Sequence, residues 1–223
     1  MSYAHQLKNI NQPQEVFLAF LDILGFSEFV KNNDHQKVIE IYQCVIRPMI
    51  DLSITEAAEQ LVVNSSWIKQ VNTSDVNDNL TPKFDNVVLH CTAISDSILL
   101  STPDNTFKSL IILLATVRNL MAKLIYLGFP LRGAITSGLV TLDNRFLSSS
   151  NVNHHLIIGK AIAEAVELEK RQVWSGCAIH SSVINIIGRN IIRFDPVLIT
   201  LYDVPMRNNT YELMPVVNWL QGF

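Results

Sequence analysis

Residues 16–23 form an almost unbroken apolar run that ends at Asp22, with Gly25 just beyond it. That pattern predicts a central strand with a carboxylate at its end. Asp34 is placed to cap a helix. Within that helix Val38, Ile41, Tyr42, Val45, Ile46, Met49 and Ile50 recur at helical spacing and give one apolar stripe. Residues 64–85 are rich in Asn, Ser, Thr and Asp and read as a polar loop or hairpin insertion. Strands are expected at 87–92 and 97–101, joined through Ile94, Ser95 and Asp96. The connection is short enough for a hairpin with Asp96 near its tip. A second helix is expected over 107–127. Its stripe is Leu110, Leu113, Leu114, Val117, Leu120, Met121 and Leu124, and Gly128 stops it. Residues 131–141 are strand-like, with Gly133 and Gly138 marking bulges or a close backbone approach. The pattern continues with a strand at 155–158, a helix at 160–172, a strand at 177–180 and a short helix at 182–187. Strands at 191–194 and 211–214 complete it.

The opening order β-α-β-β-α-β is the ferredoxin-like arrangement, an α+β fold in which an antiparallel sheet carries helices on one face. No repeat, low-complexity tract or linker interrupts it, so residues 1–223 read as one domain with the insertion at 64–85. Composition agrees. Hydrophobic residues make up 48% and charged residues 17% of the 223, enough for a sizeable core and unlike a disordered chain. The net charge is −3 with no long basic run, which argues against a nucleic-acid partner. Cys44, Cys91 and Cys177 are odd in number and widely spaced, resembling neither a disulfide framework nor a zinc site. A reducing, cytoplasmic setting is expected. The polar first residues lack the apolar core of a signal peptide. The apolar stretch 110–117 is far shorter than the roughly 20 residues that span a bilayer, so no membrane association is expected.

The chemistry rests on two acids. Asp22 and Asp96 are far apart in sequence, yet this topology can bring the end of the first strand beside the tip of the hairpin. Two carboxylates in one place repel, and a divalent cation relieves that repulsion. A pair of Mg²⁺ or Mn²⁺ ions bridging carboxylates and a triphosphate is a recurrent device for phosphoryl chemistry. The plainer reading takes Asp22 as a strand-end residue and Asp96 as a turn residue, since turns favour Asp. Against it, an apolar strand that ends in an acid needs a reason, because unpaired buried charge is costly.

The residues around both acids resemble a known family. The run 20–27, Phe-Leu-Asp-Ile-Leu-Gly-Phe-Ser, is similar to the first metal motif of the class III nucleotidyl cyclases. Ile-Ser-Asp-Ser-Ile-Leu at 94–99 resembles the second. Leu-Arg-Gly-Ala-Ile-Thr-Ser-Gly at 131–138 resembles the strand after the second helix, and Ile-Ile-Gly-Lys-Ala at 157–161 resembles the start of the late active-site helix. These motifs keep the family's order over about residues 16–180. The resemblance implies that a nucleoside triphosphate is cyclised to a 3′,5′-cyclic mononucleotide with release of pyrophosphate. It implies that Asp22 and Asp96 ligate two Mg²⁺ or Mn²⁺ ions, with the Ile23 carbonyl completing one shell. The backbone N–H groups of Leu24, Gly25 and Phe26 would cradle the triphosphate. A head-to-tail homodimer with two equivalent sites is implied as well.

The departures narrow the branch. The purine-reading Lys and Asp of the family are replaced by Thr92 and Leu156, and its transition-state Asn and Arg by Ala163 and Glu167. A cyclase that has lost activity is one reading. A second is the bacterial antiphage branch, the Pycsar-type pyrimidine cyclases, which the run 130–135 and the late helix resemble; a third is a purine cyclase with altered base reading. Retention of both acids favours the second reading. It implies turnover of UTP or CTP, with Thr92 at the base and a product acting on a separate effector protein. Arg132 has a planar fork suited to phosphate, although a salt bridge would also explain it. Lys160 opens a helix, where an anionic ligand would justify a cation, although a solvated lysine needs no ligand. The doublet His154–His155 lacks metal-ligand spacing, and Trp67 reads as a loop residue or dimer contact.

Overall fold

The fold is described from a computed structural model, which covers residues 12–63, 89–143, 146–147, 152–153, 156–188 and 196–222. The expected insertion at 64–85, Trp67, the His154–His155 doublet and the strand at 191–194 lie outside the described residues. Strand β1 (Gln14–Ile23) is followed by the short helix α1 (Phe26–Asn32). Helix α2 (His35–Ile41) passes through one wide π turn at Tyr42–Ile46 into α3 (Arg47–Val63). The hairpin β2 (His90–Ile94) and β3 (Ser97–Ser101) leads to the long helix α4 (Phe107–Tyr126). Strand β4 (Leu131–Asp143) comes next, then the small pair β5 (Phe146–Leu147) and β6 (Val152–Asn153), and β7 (Leu156–Gly159). The chain continues through α5 (Lys160–Arg171), β8 (Cys177–Ile179) and α6 (Ser181–Ile187). It finishes with β9 (Ile199–Pro205), β10 (Tyr211–Val217) and a 3₁₀ turn at Trp219–Gly222.

The expected β-α-β-β-α-β order is present. Among the described residues the main sheet has eight strands in the order β2-β3-β1-β4-β8-β10-β9, with β7 pairing beside β8 on β4. It is antiparallel except for the β4–β8 pair. Local signals sit where their chemistry requires. The Asp34 carboxylate accepts the Lys37 N–H at 2.9 Å and caps α2. Thr106 caps α4, and Gly128 ends it with φ of 86°, a left-handed value that suits glycine.

The sheet differs from the one-sided expectation in one respect that matters for the site. Phe17, Ala19, Leu21 and Ile23 of β1 face α3 and α4, the larger core. Val16 and Leu18 face the other way and pack with Ala161, Ala165 and Leu168 of α5. Both faces of the sheet centre are therefore covered, because β1 is apolar on both sides. Helix α4 is long and apolar enough, by length and composition alone, to cross a bilayer. Here it is mostly buried, with Leu110, Leu113, Leu114, Leu120 and Leu124 fully inside. The three cysteines are free thiols.

Candidate functional site

The register of β1 assembles the site. On one side Asp22 pairs with Ser97 of β3, and on the other with Arg132 of β4. Asp96 directly precedes Ser97 in the two-residue turn, where Ser95 adopts φ of 56°. The backbone carbonyl of Asp96 accepts the Ile23 N–H at 2.9 Å, which fixes the turn to the end of β1. The two acids separated in sequence thus share one corner of the sheet. The next residues wrap that corner. Leu24 N–H donates to the Pro130 carbonyl at 2.9 Å. Gly25, at φ of 79°, turns the chain into α1 in a conformation that disfavours side chains. Phe26 is buried and stacks on Phe29 at 5.7 Å, which anchors α1 to the core.

Two participants were not assigned a role from the sequence. Ser27 Oγ donates to Asp96 Oδ2 at 2.7 Å and orients that carboxylate. Its signal was its place in the Gly-Phe-Ser run. Glu169 of α5 is only 3% exposed and pairs with Arg132 through Nε and Nη2. Arg132 Nη2 also lies 3.8 Å from Asp22 Oδ2. The corner therefore holds three carboxylates and one guanidinium, a formal −2.

Electrostatics follow from this crowding. The Asp22 carboxyl is pushed above the usual carboxylate range, chiefly by burial, then by the charges of Glu169 and Asp96, while Arg132 pulls it down. A carboxyl raised by folding favours the native state at low pH. That advantage is lost as pH rises through the folded value. Ionised Asp22 consequently costs stability near neutrality. Asp22→Asn is expected to raise the melting temperature at pH near 7, with the gain shrinking toward pH of about 4. Thermal unfolding at both pH values checks this, and a lower melting temperature for the variant near pH 7 contradicts it.

Thr92 of β2 pairs with Leu99 of β3, which pairs with Phe20, so it faces the same side of the sheet as Asp22, two strands across and two residues along, about 12 Å away. Tyr42 packs into the core on the opposite face. Lys160 is not brought to this corner within one protomer. Helix α5 runs back along β4, with the Ala161 carbonyl held by Thr136 at one end and Glu169 at Arg132 at the other. Lys160 is exposed at the far end, about 14 Å along the helix from Glu169, and pairs with Glu164 at 3.2 Å. Leu156, Ala163 and Glu167 are exposed.

Among the described residues no cluster of three or more His, Cys, Asp or Glu side chains is placed to hold a metal ion. Two carboxylates of a net-negative corner and the neighbouring backbone nevertheless fit a hard divalent cation that takes its other ligands from phosphate and water.

No protein-family model and no curated protein sequence matches the chain. Solved structures do. The guanylate cyclase domain of RhGC from Catenaria anguillulae, determined with GTP, aligns at a TM-score of 0.57 and 13% identity, covering 93% of this chain and 98% of that one. The adenylyl cyclase CyaB from P. aeruginosa aligns at 0.53 and 14% identity, covering 93% and 95%. A non-canonical dimeric guanylyl cyclase domain of the RhoGC fusion protein from Blastocladiella emersonii aligns at 0.51 and 12% identity, covering 93% and 98%. The chain has the mixed α+β fold of class III cyclase catalytic domains, and at these identities the likeness is one of fold.

Proposed function

We propose that this protein is a nucleotidyl cyclase in which Asp22 and Asp96 bind two divalent ions, Mg²⁺ or Mn²⁺, with the Ile23 carbonyl. The observation that carries the reading is the convergence of Asp22, Asp96 and Arg132 at one corner of a cyclase-type sheet through strand register. The ions supply Lewis-acid stabilisation of phosphate charge. The chain's own groups do the rest. Gly25 and Phe26 lead the backbone into α1 beside Asp96, where N–H groups favour phosphate oxygens. Arg132 lies beside this corner, its Nη2 3.8 Å from Asp22 and its Nε and Nη2 edge held by Glu169. Ser27 keeps one Asp96 oxygen oriented. The 3′-hydroxyl of the bound triphosphate forms a bond to its own α-phosphorus, the bond to pyrophosphate breaks, and the hydroxyl proton passes to solvent.

The exposed positions of Ala163, Glu167 and Lys160 on one face of α5 support a homodimer, in which the second protomer completes the site and Lys160 serves the partner's corner. Thr92 and Leu156 offer no long charged group to a purine edge, which supports UTP or CTP as substrate. The product would be a diffusible cyclic pyrimidine nucleotide that signals to a separate effector protein in antiphage defence. The test is incubation with all four triphosphates at equal concentration and Mn²⁺, read by mass spectrometry. Cyclic UMP or cyclic CMP is expected to exceed the purine products by at least about tenfold. Dominant cyclic AMP or cyclic GMP would leave the cyclase reading standing and overturn the pyrimidine one. A second reading, a nucleotide-binding module without turnover, is favoured by the lack of a cation at Glu167. Pyrophosphate release separates the two.

A further inference from the structure

A buried carboxylate is costly unless paired, and a buried ion pair is often no more stabilising than apolar packing of the same volume. The Glu169–Arg132 pair therefore needs an account beyond stability. Its surroundings are rigid. Gln172, fully buried, donates its amide to the carbonyls of Gly133 at 3.0 Å and Leu168 at 2.9 Å. The same side chain accepts the Trp174 indole N–H at 2.7 Å. Its backbone carbonyl accepts Arg132 Nη1 at 3.4 Å. The end of α5 is thereby fastened to the start of β4, and Glu169 is fixed relative to Arg132.

Arg132 has two anions within reach. A guanidinium beside a lone carboxylate forks onto both its oxygens. Here the Nε and Nη2 edge is taken by Glu169, and Asp22 is left at 3.8 Å. We propose that Glu169 is a positioning residue that holds Arg132 off Asp22, keeping the Asp22 carboxylate open to a divalent cation. This inference rests on the metal-binding reading of Asp22. Removing the Glu169 charge frees Arg132 to close on Asp22 and compete with the ion. Removing both charges removes the competitor as well.

Mn²⁺ alone is titrated into the full chain, with free Mn²⁺ followed by electron paramagnetic resonance and folding checked by thermal unfolding. Glu169→Gln, which keeps shape and an acceptor oxygen, is expected to weaken Mn²⁺ binding about tenfold. The double variant Glu169→Gln with Arg132→Gln is expected to return to within about threefold of wild type. Asp22→Asn is expected to lose the site. If wild type binds Mn²⁺ through Asp22 and Glu169→Gln binds it equally well, the positioning role is overturned. A double variant no tighter than Glu169→Gln overturns it too. A lower melting temperature for Glu169→Gln with unchanged Mn²⁺ affinity would mark Glu169 as a structural residue only. If wild type binds no Mn²⁺, or Asp22→Asn binds as wild type does, the metal reading fails and this inference falls with it.

Discussion

Asp22→Ala and Asp96→Ala are each expected to lower metal-dependent pyrophosphate release by about a thousandfold or more while leaving the fold intact. The two acids occupy the end of β1 and the hairpin turn, and neither side chain belongs to a core. Asp96 contributes its backbone carbonyl to the sheet end, and alanine keeps that carbonyl. Its side chain serves only as the acceptor of Ser27 among the described hydrogen bonds. Asp22 is a charge that burial and two neighbouring acids oppose, so its removal relieves repulsion. Loss of rate without loss of fold is the combination that separates a functional acid from a structural one. Pyrophosphate release measured beside circular dichroism checks it. A variant that keeps more than about a tenth of the wild-type rate would show that the pair does not carry the chemistry.

Gly133→Ala is expected to cost about 3 kcal/mol of stability although it adds one methyl group. Gly133 sits in β4 between Leu21 of β1 and Cys177 of β8. A Cβ there would lie 2.6 Å from the Phe20 carbonyl oxygen and 2.5 Å from Leu21 Cδ2. The side chain of Leu21 can turn away, but the Phe20 carbonyl belongs to the central ladder and cannot without breaking it. The strand must shift, and Arg132 shifts with it. Denaturant unfolding reads the loss. A cost below about 1 kcal/mol would mean that β1 and β4 tolerate separation at this point.

Much of this arrangement is written in local pattern. The run 16–23 reads as a central strand with one acid at its end, and the structure buries that strand on both faces. Asp34 and Gly128 punctuate helices by chemistry that needs no tertiary partner. What escaped the pattern depends on distant partners or weak periodicity. Strand β9, Ile199–Pro205, was not expected because it lies at the sheet edge, with Leu201, Tyr202 and Asp203 all exposed and no alternation to read. The π turn at Tyr42–Ile46 leaves the apolar stripe looking helical, since one wide turn shifts the face by a single residue. Glu169 looks like an ordinary solvated helix residue until β4 brings Arg132 against it. Helix α5 was expected, but its position on the second face of the sheet follows from the two-sided apolarity of β1 together with the tertiary route of the chain.

Strand β1 has β3 on one edge, β4 on the other and a helical layer on each face. Peeling away either helical layer leaves the other and both ladders in place. The amide protons of residues 17–21 are therefore expected to be among the slowest in the domain to exchange, with protection that tracks global stability. Asp22 sits one residue beyond that segment. Whatever binds at the corner meets a strand end already held by both ladders.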